Sequence, residues 1–267
     1  MKWNSNDKSC KLCRRSGLEL QDSHFLSKGI YKCLRDEGLG NPNPVLVTGT
    51  GAVQTSFQQS AHLLCGDCEQ RLSKNGEQWL LGHCLRSDGS FRLRDTLFSR
   101  LPNISSPTSS TRVYWGAGIP EINVSAIMYF AASIFWRGSI YPWTEDWEIP
   151  VRLGPIQEQF RLYLMEEQAF PSRAALSVTV RTESGIDRVT YGPAGRRRGD
   201  QRHFRFTMPG FVFLLTTGAE LPQVLLNCSI AHNADRPLIV APMVDDLILR
   251  EIGPLVRRST GAQLGIA

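Results

Sequence analysis

Cys10-Lys11-Leu12-Cys13 and Cys65-Gly66-Asp67-Cys68 decide how this chain is read. Each is a Cys-x-x-Cys knuckle, and 51 residues lie between them. The short spacing lets one tight turn aim two sulfurs at a single point. Four thiolates in two such pairs match the closed tetrahedral site of structural zinc. Two pairs in one module are far more specific than one, so Cys10, Cys13, Cys65 and Cys68 are read as ligands of one Zn²⁺. Such an ion supplies folding free energy and need not take part in a reaction. Cys33 and His62 are the residues that could replace one ligand, and burial without metal is the plain alternative.

The rest of the composition sets the frame. The chain has 267 residues, 42% hydrophobic and 21% charged, enough for a sizeable core in one large domain or in a small module plus a larger one. Its net charge is +5. Residues 1–100 hold 14 basic and 10 acidic residues, against 16 and 15 in residues 101–267, so the surplus lies with the knuckles. A small basic module suits a polyanionic partner such as DNA or RNA. Met1 to Asp7 is polar and lacks the apolar segment of a signal peptide. The longest apolar run, Ile122 to Trp136, is broken by Asn123, Ser125 and Ser133 and is shorter than the ~20 residues of a membrane span. The expectation is a soluble, cytoplasmic protein with no membrane partner. Reducing conditions there direct paired cysteines to metal rather than to disulfides. Protein partners and oligomeric state leave no mark on the sequence.

Around the knuckles, Leu18-Glu19-Leu20 reads as a short strand leading to Ser23-His24. Ser27 to Glu37 reads as a helix, with Ile30, Tyr31 and Leu34 on one face and Gly38 as its stop. Asn41-Pro42-Asn43-Pro44 is a turn, because each proline keeps its predecessor out of the α region. Val45–Val47 and Val53–Gln59 form a hairpin, Ala61–Leu64 runs into the second knuckle, and Glu69 to about Leu85 is a helix. Knuckle, hairpin, knuckle, helix is the order of a treble-clef zinc module, assigned to residues 1–100. The second Cys pair then lies at a helix start, where the partial positive charge favours thiolate.

Leu101 to Arg112, rich in Ser, Pro and Thr, reads as a linker. Residues 113–267 read as an α+β domain. Glu121–Arg137 is a helix apolar nearly all round, hence buried, and Gly154–Gln168 is an amphipathic one. Ala175–Thr182, Phe204–Met208, Phe211–Thr216, Gln223–Ile230 and Leu238–Val240 are strands of a mostly antiparallel sheet. Met243–Arg258 closes the chain as a helix.

A family resemblance appears at the knuckles. Cys-x-x-Cys, a His in a short strand, and a second Cys-x-x-Cys leading a helix resemble the HNH (ββα-metal) endonucleases, in particular the endonuclease VII-like subgroup with a four-Cys structural zinc. The likeness covers about residues 8–85. It implies a metal-dependent hydrolase of DNA or RNA. His24 matches the general base, a role suited to a side chain that titrates near neutrality. The family holds a catalytic Mg²⁺ or Mn²⁺ with an Asp and an Asn. Here the matching positions are Ser23, a poor ligand, and Glu69, a good one. Asp22 is a second carboxylate, although on a strand it faces away from Ser23. Asn41 and Asn43 are candidates for the middle Asn of the pattern. The resemblance thus implies His24, Glu69 and Asp22 as catalytic residues, with a rearranged or an inactive site.

The bland readings are equally concrete. His24 serves as a cap or core hydrogen-bonding group, and Glu69 sits in a helix first turn, where the dipole alone favours an acid. Arg196-Arg197-Arg198 reads as a Gly-rich loop that is solvated or contacts phosphates, and Trp143 and Trp147 as core or as a base-stacking pair. Asp245, Asp246 and Glu251 read as helix-capping acids. The alternative to an enzyme is a non-catalytic, zinc-stabilised binding or scaffold protein.

Overall fold

A tight turn opens the described part of the chain. Arg14 N donates to Cys10 O at 2.8 Å and Cys10 N to Arg15 O at 3.0 Å, with Arg14 at a φ of 61°. This computed structural model describes residues 9–35, 42–47, 52–56, 58–106, 109–143, 151–182 and 190–241. Asn41, Trp147 and the expected helix Met243–Arg258, with Asp245, Asp246 and Glu251, lie outside the described residues.

Strand β1 (Leu20–His24) is followed by helix α1 (Lys28–Leu34), then by a short hairpin of β2 (Val45–Val47) and β3 (Ala52–Gln54). Strand β4 (Ser60–Cys65) returns antiparallel to β1, from Leu20 opposite Cys65 to His24 opposite Ser60. Lys11 N donates to Leu63 O at 2.9 Å, so the first knuckle hangs on the strand that delivers the second. Chain direction then reverses into one helical rod. It consists of α2 (Gly66–Leu72), a π turn over Ser73–Glu77, and α3 (Gln78–His83). A π turn inserts one extra residue per turn, so side chains beyond it face a new direction.

Helix α4 (Arg92–Phe98) buries Leu93 and Leu97. Next come β5 (Ile104–Ser105), inside the stretch read as a linker, and β6 (Arg112–Trp115). Helix α5 (Val124–Ile140) starts at Asn123, whose Oδ1 accepts from Ala126 N at 2.9 Å, and α6 (Ile156–Leu164) follows. The chain then forms β7 (Ala174–Arg181), β8 (Tyr191–Arg198), β9 (Gln201–Met208), β10 (Phe211–Thr217), α7 (Gln223–Asn227) and β11 (Pro237–Ala241).

The architecture is mixed α and β, with one large sheet in the order β5-β6-β11-β7-β10-β9-β8. Its pairs are antiparallel except β11 with β7. Phe204, Phe206 and Met208 alternate inward on β9 and stand opposite Leu215, Phe213 and Phe211 on β10. Pro209 and Gly210 turn between these strands, and Gly210 takes a φ of 81° that suits glycine.

Helix α5 joins the two halves. An apolar surface on all sides has to be buried on all sides. One side meets the sheet, where Phe130 packs on Phe206 and Phe213 and Phe135 packs on Phe204. The other side meets the π turn. A Cβ on Gly76 would stand 2.8 Å from Phe130 N, so only glycine permits this approach. The buried residues of residues 1–100 and of the later chain form one continuous core.

Two expected elements differ. Gln223–Asn227 is helical rather than extended, and none of its residues is buried. Both edges of β7 are already taken, by β10 and β11, and Pro222 sets a φ of −55° at the helix start. Arg196-Arg197-Arg198 lies in strand β8 rather than in a loop. Among the described residues that strand pairs with β9 alone, so it tolerates Pro193 and arginines that a central strand would not.

Candidate metal centre and the adjoining cleft

The knuckle turn, strand β4 and the first turn of α2 bring four sulfurs together. The ligand atoms of Cys10, Cys13, Cys65 and Cys68 all lie within 4.8 Å of one another. Cys13 Sγ and Cys65 Sγ are 3.9 Å apart, close to the ~3.8 Å edge of a tetrahedron with 2.3 Å metal–sulfur bonds. The donor set therefore fits a metal ion such as zinc. Cys10, Cys65 and Cys68 are buried and Cys13 is half-buried. Cys10 is drawn down to about 4, chiefly by a hydrogen bond from Cys68 and also by the backbone N–H of Cys65. Cys68 is pushed up as the donor to that sulfur, and Cys65 is raised by burial. Four thiols this close cannot all ionise without a cation among them.

Arginines surround the cluster. Arg15 Nε donates to Cys13 Sγ at 3.5 Å, and its Nη2 reaches Asp67 Oδ2 at 3.0 Å. Arg161 Nη1 on α6 donates to Leu12 O at 2.7 Å, and Arg14 pairs with Glu158 on the same helix. The later half of the chain thus clasps the first knuckle. The two possible replacement ligands stand elsewhere. Cys33 Sγ lies 3.7 Å from Cys84 Sγ, and His62 Nδ1 lies 3.0 Å from Leu20 O on the exposed side of β4.

Beside the cluster is a cleft lined by Asp22, His24, Lys28, Glu69, Glu77 and Arg137. The three residues implied by the resemblance therefore border one space. Among the described residues, only the cysteines bring three or more donor atoms of His, Cys, Asp or Glu within 4.8 Å, so Asp22, His24 and Glu69 do not converge on a point. Strand alternation explains part of this, since Asp22 is exposed where Ser23 is buried. Ser23 Oγ accepts from Leu64 N at 3.2 Å and donates to Gln21 O at 3.3 Å. Its hydroxyl is consumed in stitching β1 to β4.

His24 Nδ1 lies 3.2 Å from Asp22 O. A carbonyl only accepts, so Nδ1 is the donor, and in the neutral ring the lone pair then lies on Nε2.

Glu69 and Glu77 both face Arg137. Arg137 Nη1 donates to Glu77 Oε1 at 3.0 Å, to His24 O at 3.2 Å and to Phe25 O at 3.3 Å. Its Nη2 lies 3.6 Å from Glu69 Oε2. The Arg137 side chain is 3% exposed. Neither Arg137 nor Glu77 was singled out from sequence. A signal existed, because Arg137 is a cation at the end of an otherwise apolar helix, and a buried charge needs a partner.

Two of the remaining candidates fall within the described residues. Trp143 is buried against Phe25 and Tyr141, and its Nε1 donates to Arg137 O at 2.8 Å. Arg196, Arg197 and Arg198 are exposed on the edge strand, with Arg197 directly opposite Arg202. Among the described residues, no helix is long and apolar enough to cross a membrane. No family model, curated protein or solved structure matches the chain.

Proposed function

We propose that this chain acts on nucleic acid, DNA or RNA, through the His24 cleft. It is a divergent relative of the HNH endonucleases, with a treble-clef module clamped by one Zn²⁺ at Cys10, Cys13, Cys65 and Cys68. What carries the reading is the state of His24. It ends β1 in the cleft that Glu69 also lines, its Nδ1 donates to the Asp22 carbonyl, and in the neutral ring this leaves Nε2 as the base. In the hydrolytic form, Nε2 takes a proton from water as the water oxygen attacks phosphorus. The phosphorus–oxygen bond to the leaving nucleotide breaks, and the leaving oxygen takes a proton from solvent.

The divalent ion of that family does not fit the residues present. Ser23 is buried in the strand pair, and Glu69 faces a guanidinium. The same ion pairs favour a second reading, a non-catalytic zinc-stabilised binding or scaffold protein. Incubating plasmid, single-stranded DNA and RNA with zinc-loaded wild type and His24→Ala, each without added divalent ion and with Mg²⁺ or Mn²⁺, separates the two. Cleavage lost in His24→Ala supports the enzyme. Equal cleavage, or none by either protein, leaves the scaffold.

A further inference from the structure

We infer that Arg137 is the resident cation of the His24 cleft, a guanidinium standing where a divalent ion would otherwise have to bridge Glu69 and Glu77. The inference rests on the reading above only in taking this cleft as the site.

The carboxylates come from α2 and from the π turn, and the cation comes from α5. Without the guanidinium, Lys28 would be the only lysine or arginine lining the cleft with Asp22, Glu69 and Glu77 among the described residues. Guanidinium stays protonated at any working pH, so it cannot step aside by losing its charge. The carbonyls of His24 and Phe25 and the Glu77 carboxylate fix its Nη1 edge. The other edge faces Glu69, where Arg137 Nε and Glu69 Oε1 are both buried and without a partner. A small approach of Glu69 would complete a two-pronged pair. A divalent ion bound to Glu69 would instead stand against a fixed positive charge. The site therefore uses its acids to hold an arginine, and that arginine in turn sets the end of β1 that carries His24.

Mn²⁺ titration of the full-length, zinc-loaded protein, followed by electron paramagnetic resonance, tests this. The wild type is expected to leave Mn²⁺ free at millimolar concentration. Arg137→Met is expected to gain one Mn²⁺ site, lost again when Glu69→Gln is added. Two results would overturn the inference: Mn²⁺ binding by wild type that Glu69→Gln abolishes, or a folded Arg137→Met protein that gains no site. If Arg137→Met does not fold, the comparison of wild type with Glu69→Gln still decides, since only a genuine metal site loses Mn²⁺ there. The readout needs no nucleic acid, so a failure of the proposed function leaves it unaffected, and the reverse also holds.

Discussion

Arg137 Nη1 stands 3.0 Å from Glu77 Oε1, between side chains 3% and 11% exposed and 60 positions apart in the chain. The π turn at Ser73–Glu77 carries Glu77 inward, and α5 brings Arg137 to it. This pair ties the half that carries the cysteine cluster to the helix that packs on the sheet.

Breaking the pair on one side strands a buried charge. Arg137→Ala is expected to lower the unfolding free energy by about 3–5 kcal/mol. Arg137→Met combined with Glu77→Leu is expected to lose much less, because it leaves no unpaired charge. Urea denaturation of the two variants and wild type measures the difference, and equal losses would contradict the pairing.

Gly76 sets the distance between the same two helices. In an open helix, Ala in place of Gly gains roughly 1 kcal/mol. Here the new Cβ would meet Phe130 N at 2.8 Å, and backbone yields poorly. Overpacking of this kind costs about 1–3 kcal/mol, so the clash outweighs the propensity gain. Gly76→Ala is expected to lower the thermal midpoint, and a raised midpoint would show that the helices have room to part.

The cysteine cluster is expected to hold one zinc per chain, measured by elemental analysis. Structural zinc contributes about 10–16 kcal/mol, which is as much as a whole domain's usual stability. Cys13→Ser and Cys68→Ser are therefore expected to lose both metal and fold, and a chelator is expected to unfold wild type. Metal binding needs thiolates, so affinity falls as pH is lowered. Circular dichroism during chelator titration at several pH values follows both effects.

Cys33 lies 3.7 Å from Cys84 and is drawn down to about 7, first by the Cys84 hydrogen bond and then by the charge of Arg86. Cys84 is raised as the donor. A lowered thiol is ionised above its midpoint, so alkylation of Cys33 by iodoacetamide is expected to rise through about pH 7 and level off above it. Cys84→Ala is expected to move that midpoint upward. Mass spectrometry of the zinc-loaded protein reads both.

Much of the fold was legible where the pattern was local. The apolar run Ile122–Trp136 announced a buried helix, and Ala175–Thr182, Phe204–Met208 and Phe211–Thr216 announced strands that form within a residue or three of those bounds. Strand β8 was hidden because an edge position tolerates arginine, glycine and proline, which erase the alternation of a strand. Gln223–Ile230 carried a strand-like apolar run, but both edges of β7 are taken by β10 and β11. Helix α4 had the signal, Leu93 and Leu97 one turn apart, in a segment too short to stand out.

The two knuckles were determined by the sequence alone. Two cysteines three positions apart need only a local turn to aim both sulfurs together, and 51 residues between the pairs do not alter that. What stands beside the cluster was decided by the tertiary structure. His24, Glu69 and Asp22 were named from a motif, but the partner of Glu69 arrives on α5, and nothing near Glu69 in the chain encodes it. The pairing depends on a π turn, a glycine that lets two helices touch, and the angle at which they cross. Such long-range geometry is written in no single stretch of residues.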